Sequence, residues 1–236
     1  MKKIAILKKE QKEFVEKFEM LSGRYSVRQI WDDWIVMSAI SVANTCAPNE
    51  DREKRYLAIA EKYKPDELLV FSELFADMTL SLEEDPDQDF LGEMYMAVGM
   101  GSSVAGQFFT PYHVCELLAR LVNLQDIREQ IEKCGHARIN DCACGAGATL
   151  IAAANACRKA GIDYQRDVVF VGQDIDFICV CMCYLQLSLL GCPGYVILGN
   201  TLAEPVPQKG NTWHTPLWFL SPTINAMKRD MSYEPL

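Results

Sequence analysis

Two glycines and two acidic residues in the second half of the chain have types and spacing suited to holding a cofactor. Gly145 and Gly147 follow the short run RINDCAC and precede the helix-forming segment TLIAAANACRKAG. Glycine lets a ligand approach the backbone, and the amino end of a helix offers N–H groups. Asp141 precedes this loop, and Asp174 ends the next β-branched run. The arrangement predicts a ligand site, with a plain tight turn between strand and helix as the alternative.

The residue types at this loop favour a nucleoside over a nucleotide phosphate. A phosphate-binding loop needs a third glycine or a lysine after the glycines, and GAGATL has neither. We expect the Asp174 carboxylate to accept hydrogen bonds from both hydroxyls of a ribose, and Asp141 suits a cationic amino acid group. Together these residues predict S-adenosylmethionine as the cofactor.

The elements around the loop predict a doubly wound α/β sheet. Four apolar runs have strand character, and helical segments separate the first three: RINDCAC, VVFVGQD, GYVILGN and PLWFLSP. Strands that alternate with helices imply parallel pairing with crossover helices. Ligands of such sheets bind beyond the carboxyl ends of the strands, where the glycines and acids fall.

The first hundred residues predict helices. A capping box at Ser26 to Gln29 opens a long apolar helix, and further helices are expected at 51–63, 65–82 and 89–98. Trp31 and Trp34 lie three apart on the long helix, which favours core packing over base stacking. We therefore expect a helical region at 1–100 and a cofactor-binding domain at 101–236.

Composition and charge describe an ordinary soluble protein. The chain has 236 residues, 50% of them hydrophobic and 23% charged, without a long apolar run or a signal peptide, so we expect a cytoplasmic protein without a membrane segment. The net charge of −9 argues against nonspecific nucleic-acid binding. Residues 1–28 hold eight basic side chains against four acidic ones, which suits either a solvated amphipathic helix or a contact with a phosphate backbone or an acidic partner.

The ten cysteines predict buried, reduced thiols. None of them forms a CxxC pair, and several lie in apolar runs. A cluster at Cys179, Cys181 and Cys183 is the alternative. Alternate spacing on a helix would direct those thiols to different faces, and the three histidines lie far away in sequence. We therefore predict no metal.

A further segment, GQFFTPYHVCELLARLV, predicts a helix that is preceded by an unusual group of residues, GQFF. Thr110 suits the N-cap and Pro111 the first helical position. Apolar residues then repeat at helical spacing: Val114, Leu117, Leu118, Leu121 and Val122. The helix does not explain the glycine, amide and two aromatic residues that precede the cap.

Four ordered motifs, GQFFTP, DCACGAG, VGQDID and GNTLAEP, resemble those of the N6-adenine DNA methylase family. The likeness covers roughly residues 88–205 and is greatest to the modification subunits of type I restriction systems. It implies a Rossmann-like class I methyltransferase sheet, present in part and preceded by the helical region.

The resemblance also implies a role for individual residues. The methionine side of the cofactor pocket would be lined by Phe109, Thr110 and Pro111. Its floor would be formed by Asp141, Ala143, Gly145 and Gly147. The ribose would be held by Asp174 and the adenine by Ile175 and Asn200. Three positions depart from the family: Cys142 replaces a proline, Ala148 a glycine and Asn200 an aspartate. Because an amide oxygen still accepts a hydrogen bond, we expect weakened binding.

The family's catalytic motif is Asn or Asp, with Ser in cytosine-N4 relatives, followed by two prolines and an aromatic residue, at the end of the fourth strand. Its first side chain and a backbone carbonyl accept hydrogen bonds from the target amine, and the ring stacks on the flipped base. Here SPTI takes that place, so Ser221 and Pro222 are the catalytic candidates and Thr223 and Ile224 replace the proline and the ring. The alternative is a simple loop.

Two classes of function follow from the resemblance. The first is a DNA adenine-N6 methyltransferase of a restriction-modification system, with a partner chain that supplies the remaining strands and target recognition. The second is a noncatalytic regulatory or interaction subunit derived from one. The lost aromatic residue and the acidic charge predict weak or no activity for the chain alone.

Overall fold

The computed structural model describes residues 8–100, 109–203, 210–221 and 225. The chain divides into two compact units, 1–109 and 110–236. The division predicted from sequence lies earlier, between residues 100 and 101, and stays a prediction.

The described part of the first unit is helical, as expected. Its helices are α1 (Lys9–Leu21), α2 (Val27–Cys46), α3 (Glu50–Ala60), α4 (Pro65–Glu84) and α5 (Phe90–Ala97). The predicted cap at Ser26 is confirmed, because its side chain accepts a hydrogen bond from the Gln29 N–H at 3.2 Å. Asn49 and Asp89 cap α3 and α5 in the same way. The predicted helices therefore exist, and their ends differ by only a few residues.

The first unit is built around an aromatic core. Trp31 and Trp34 are both fully buried, with ring centroids 5.6 Å apart. Phe14 meets the Trp34 ring edge-on at 5.2 Å and Phe90 at 5.4 Å. Such edge-to-face pairs add about 0.5 to 1.5 kcal/mol each beyond burial. The prediction that the two tryptophans pack in a core is confirmed.

The second unit combines helices with a sheet. Its elements are α6 (Tyr112–Leu121), α7 (Leu124–Cys134), β1 (Ala137–Asp141), α8 (Ala148–Lys159), α9 (Tyr164–Asp167), β2 (Val168–Asp174), α10 (Phe177–Leu189), β3 (Gly194–Leu198), β4 (Thr212–His214) and α11 (Pro216–Leu220). The strand order is β1-β2-β3-β4. The first three strands are parallel, and β4 is antiparallel to β3.

The parallel strands bring their carboxyl ends to one edge of the sheet. Asp141 pairs with Gly172, and Asp174 pairs with Leu198, so the loops after β1, β2 and β3 emerge together. The helices α8 and α10 connect these strands. This is a partial Rossmann-like sheet, and the predicted α/β class is confirmed.

The fourth strand was predicted in the wrong place. PLWFLSP was expected to be a strand, but Pro216–Leu220 is the short helix α11. The strand lies just before it, at Thr212–His214. Proline is favoured at the first position of a helix, which helps to explain why the apolar run is helical.

Helix α6 also differs from its prediction. Its N-cap is Pro111 and not Thr110. Its buried side chains are Cys115 and Ala119, which pack with two alanines of α8. The repeated large apolar residues are instead exposed: Leu117, Leu118, Leu121 and Val122. The small residues allow close approach to α8, so the apolar repeat does not mark the buried face.

None of the described helices is long and apolar enough to cross a membrane.

Candidate cofactor site

The glycine loop, residues 142–147, joins β1 to α8 and contains two glycines in left-handed conformations. Gly145 has φ 52° and Gly147 has φ 99°, which side-chain-bearing residues rarely adopt. Gly147 is also the N-cap of α8. A Cβ atom on Gly147 would lie 3.0 Å from the Cys183 Sγ and 3.4 Å from the Cys183 Cα. The loop therefore requires glycine at position 147 both for its conformation and for its packing on α10.

Asp174 joins the end of β2 to the glycine loop. Its Oδ2 accepts a hydrogen bond from the Gly145 N–H at 2.9 Å, and its Oδ1 accepts one from the Asp176 N–H at 2.9 Å. A backbone bond from the Cys144 N–H to the Gln173 carbonyl, also 2.9 Å, lies beside them. Because a carboxylate offers about four acceptor positions, both oxygens retain capacity for ligand hydroxyls. The acid thus fixes the loop without using all its acceptor positions.

Asp141 stabilises the start of the same loop. Its Oδ1 accepts a hydrogen bond from the Ala143 N–H at 3.0 Å, and its Oδ2 accepts one from the Thr149 hydroxyl. Ala143 is exposed, whereas Asp141 is half-buried. The first bond closes an Asx turn after β1, and the second connects the turn to the first helical turn of α8.

The loop after β3 is held against the loop after β1. The Thr201 hydroxyl donates to the Cys142 carbonyl at 2.9 Å. The Asn200 Oδ1 accepts hydrogen bonds from the Leu202 N–H at 3.0 Å and the Ala203 N–H at 3.3 Å. Both acceptor positions of that oxygen are therefore used within the loop. An adenine amino group could bind it only if this turn opened, so the role of Asn200 stays a prediction.

Ile175 lies at the same edge of the sheet, and the family resemblance predicts that it contacts the adenine. Its side chain is 71% exposed, although it follows the half-buried Asp174 directly. An exposed aliphatic side chain beside a polar site offers a surface for a planar ring. The position is compatible with the predicted adenine contact.

The three residues assigned to the methionine side fall in different units. Phe109 belongs to the first unit, where its ring meets Tyr95 edge-on at 5.0 Å. Thr110 and Pro111 belong to the second unit and are exposed before α6. Helix α6 packs against α8, the helix that starts at the glycine loop. The assignment of all three residues to a cofactor pocket stays a prediction.

Helix α10 supports the glycine loop from the interior through two residues that sequence reasoning missed. Gln186 is fully buried, and its Nε2 donates to the Ala146 carbonyl at 2.9 Å. Cys183, one turn earlier, packs against Gly147. An amide within the mainly apolar run FICVCMCYLQLSL was the available signal, because buried amides require partners.

Two cysteines of α10, Cys179 and Cys183, are held as neutral thiols. The hydrogen bond with Cys144, followed by burial, raises the pKa of the Cys183 thiol well above its usual value. Burial also raises the pKa of the Cys179 thiol. Metal ligation requires thiolates. Among the described residues, no group of three or more His, Cys, Asp or Glu side chains could hold a metal ion.

The predicted catalytic residues follow α11, a helix that begins beside the amino end of β3, away from the glycine loop. Because β4 is antiparallel, the Thr215 N–H donates to the carbonyl of Gly194, the first residue of β3. Helix α11 starts there, and the buried Ser221 follows it. The expectation that this serine ends the fourth strand is therefore wrong, because a helix precedes it, and its catalytic role stays a prediction. Pro222 lies outside the described residues, as do Thr223 and Ile224.

The partial parallel sheet and the glycine loop at its carboxyl edge define a Rossmann-like α/β protein. The model of the family described as N-6 DNA Methylase matches residues 87–216, which is 130 of the 236 residues. The chain belongs to the N-6 DNA methylase family.

A solved structure of another protein is similar to this chain over most of its length. It is the methyltransferase subunit of a type I restriction-modification system from Streptococcus thermophilus, with 15% identity and a TM-score of 0.45. The match covers 85% of this chain and 60% of that one, so the chain spans about three fifths of the length of the solved subunit. No curated protein matches the chain.

Proposed function

We propose that the chain binds S-adenosylmethionine at the carboxyl edge of its sheet and forms part of a DNA adenine-N6 methyltransferase. One observation carries the proposal: Asp174 at the end of β2 is hydrogen-bonded to the glycine loop after β1. This places a carboxylate that suits ribose hydroxyls beside a backbone that a ligand can approach closely.

The chemistry of the site fits this cofactor better than a phosphate ligand. The loop GAGATL carries no lysine, and its flanking charged residues, Asp141 and Asp174, are both acidic. Two carboxylates would repel a pyrophosphate group but attract an α-amino group. Ile175 adds an exposed aliphatic surface beside them. The donor set therefore supports a nucleoside with a positively charged amino acid group.

Five residues of the second unit each have a physical role in the proposal. Asp174 accepts hydrogen bonds from the ribose, and Ile175 contacts the adenine. Asp141 attracts the amino group of the cofactor. Gly145 and Gly147 have no side chains, so the cofactor can approach the backbone of the loop. When bound, S-adenosylmethionine supplies an electrophilic methyl group for transfer.

The chain alone is proposed to be weakly active or inactive. SPTI lacks the second proline and the aromatic ring of the family's catalytic motif, and the segment before it is helical. Loss of base stacking removes about 1 to 3 kcal/mol. A net charge of −9 also opposes the holding of a DNA duplex. We propose that a partner chain supplies DNA contacts and target recognition, and that the complex works in the cytoplasm.

Calorimetry with S-adenosylmethionine tests the cofactor assignment. The wild-type chain is expected to bind, whereas Gly145→Trp should abolish binding while circular dichroism shows unchanged helical content. ATP serves as the control ligand, because the site is proposed to reject phosphates. Equal affinity of the wild type and the Gly145 variant, or preference for ATP, would contradict the assignment.

A methyl-transfer assay tests whether the chain alone has little or no activity, as both the proposed methyltransferase subunit and the noncatalytic alternative predict. The purified chain is mixed with radiolabelled S-adenosylmethionine and mixed-sequence DNA, and Gly145→Trp provides the background. We expect no turnover above that background without a partner chain. Sustained turnover would show that this chain carries its own catalytic motif, and would contradict both the proposed inactivity of the isolated chain and the noncatalytic alternative.

A further inference from the structure

The glycine loop contains a buried carbonyl that needs a hydrogen-bond donor from elsewhere in the fold. Ala146 lies between Gly145 and Gly147 and is buried. The left-handed conformations on both sides turn the backbone away from regular helix and strand pairing. A buried carbonyl without a partner costs about 1 to 3 kcal/mol. The conformation of the loop therefore depends on whichever group satisfies that oxygen.

Gln186 supplies that donor. Its side chain is fully buried on α10, and its Nε2 lies 2.9 Å from the Ala146 carbonyl oxygen. The two residues are 40 positions apart in the chain, so the bond joins α10 directly to the middle of the loop. The rest of α10 is mainly apolar. Burying an amide without a partner is unfavourable, so the bond to the Ala146 carbonyl stabilises the glutamine at this position.

The effect of this bond reaches the groups proposed to contact the cofactor. The Gly145 N–H, one residue before Ala146, donates to Asp174 at 2.9 Å. Gly147, one residue after it, packs on Cys183 of the same helix. A shift of the Ala146 carbonyl would therefore disturb both the acid that faces the ribose and the start of α8.

We infer that Gln186 is a positioning residue, which holds the glycine loop in the conformation that accepts the cofactor without contacting the cofactor itself. The inference rests on the proposed function, because it concerns the same site. It predicts that loss of the side-chain amide weakens cofactor binding in a protein that is still folded.

The test compares Gln186→Met with Thr215→Val. Methionine keeps the length and volume of glutamine but removes the donor. Thr215 is a matched control in the same unit: it is fully buried, and its hydroxyl donates to the Cys192 carbonyl at 2.8 Å, at the amino end of the sheet. Both variants are expected to lower the melting temperature. Calorimetry well below both melting temperatures should show S-adenosylmethionine binding about tenfold weaker in Gln186→Met only.

Hydrogen exchange of the ligand-free proteins gives a second measurement that a general loss of stability would not produce. Amides at 145–149 should exchange faster in Gln186→Met than in the wild type, whereas Thr215→Val should leave them protected. Unchanged affinity and unchanged loop protection in Gln186→Met would overturn the inference while leaving the cofactor site intact. Failure of the wild type to bind would overturn the proposed function, and the inference with it. Equal losses of affinity in both variants would show that Gln186 has only a structural role.

Discussion

The two ends of the sheet in the second unit are built from different interactions. At the carboxyl end, side chains bond to the backbone of neighbouring loops, as Asp174 does with Gly145 and Thr201 with Cys142. At the amino end, beside the Thr215 bond to the Cys192 carbonyl, rings pack together: Trp218 lies 5.1 Å from both Tyr195 and His214. The carboxyl end therefore presents oxygens and backbone groups, and the amino end presents packed rings.

This difference separates ligand recognition from stability. Polar groups that are oriented by backbone bonds can bind hydroxyls and amines in a fixed direction, whereas stacked rings contribute mainly buried area. If this assignment is correct, changes at the carboxyl end affect cofactor affinity most, and changes at the amino end affect the free energy of unfolding alone.

The largest expected effect is that of Gly147→Val. A side chain there combines strain of about 1 to 3 kcal/mol at positive φ with contact against Cys183. Calorimetry should detect no S-adenosylmethionine binding. Gly161→Val is the control, because Gly161 also has positive φ but a Cβ there meets nothing within 4 Å. Loss of binding in both variants would show that backbone strain at any positive-φ glycine is enough, and that the contact with Cys183 is not the cause.

The second largest expected effect is that of Asp174→Ala. It removes the acceptor for the Gly145 N–H and the proposed ribose ligand, so affinity should fall by at least about tenfold, since bonds to charged groups contribute about 1.5 to 3 kcal/mol each. Asp167→Ala is the control, because Asp167 directly precedes β2 at its amino end and pairs with Arg166. A smaller loss in Asp174→Ala would point to a purely structural acid.

Trp218→Ala tests the other end of the sheet. Loss of its two ring contacts should reduce the free energy of unfolding by about 1 to 3 kcal/mol, measured by urea denaturation. Cofactor affinity should not change. A parallel fall in affinity would mean that the two ends of the sheet are coupled, and that the division between recognition and stability is wrong.

Thr201→Val should have the smallest effect. It removes one hydrogen bond between two loops that are partly exposed, so affinity should fall about threefold. Thr212→Val, a half-buried change in β4, provides the matched control. No difference between the two variants would show that the loops after β1 and β3 keep their positions without this bond.

Much of the fold and part of the site could be predicted from local features of the sequence. The cap at Ser26, the buried Trp31 and Trp34 and the parallel strands β1 to β3 all follow from short-range patterns. The placement of Asp174 beside the glycine loop also followed, because the carboxyl ends of adjacent parallel strands must share an edge. Local propensity and spacing suffice when the deciding interactions lie within one element or between successive ones.

Only the tertiary structure decided the features that depend on distant partners. An apolar run such as PLWFL is compatible with strand or helix, and β4 took the place beside β3 in the antiparallel direction. Likewise, Gln186 became a donor to the loop only because α10 packs beneath it, 40 residues away in the chain. An amide within an apolar run signals that a partner is needed, but the identity of that partner, like the direction of a strand, is set by contacts between distant segments.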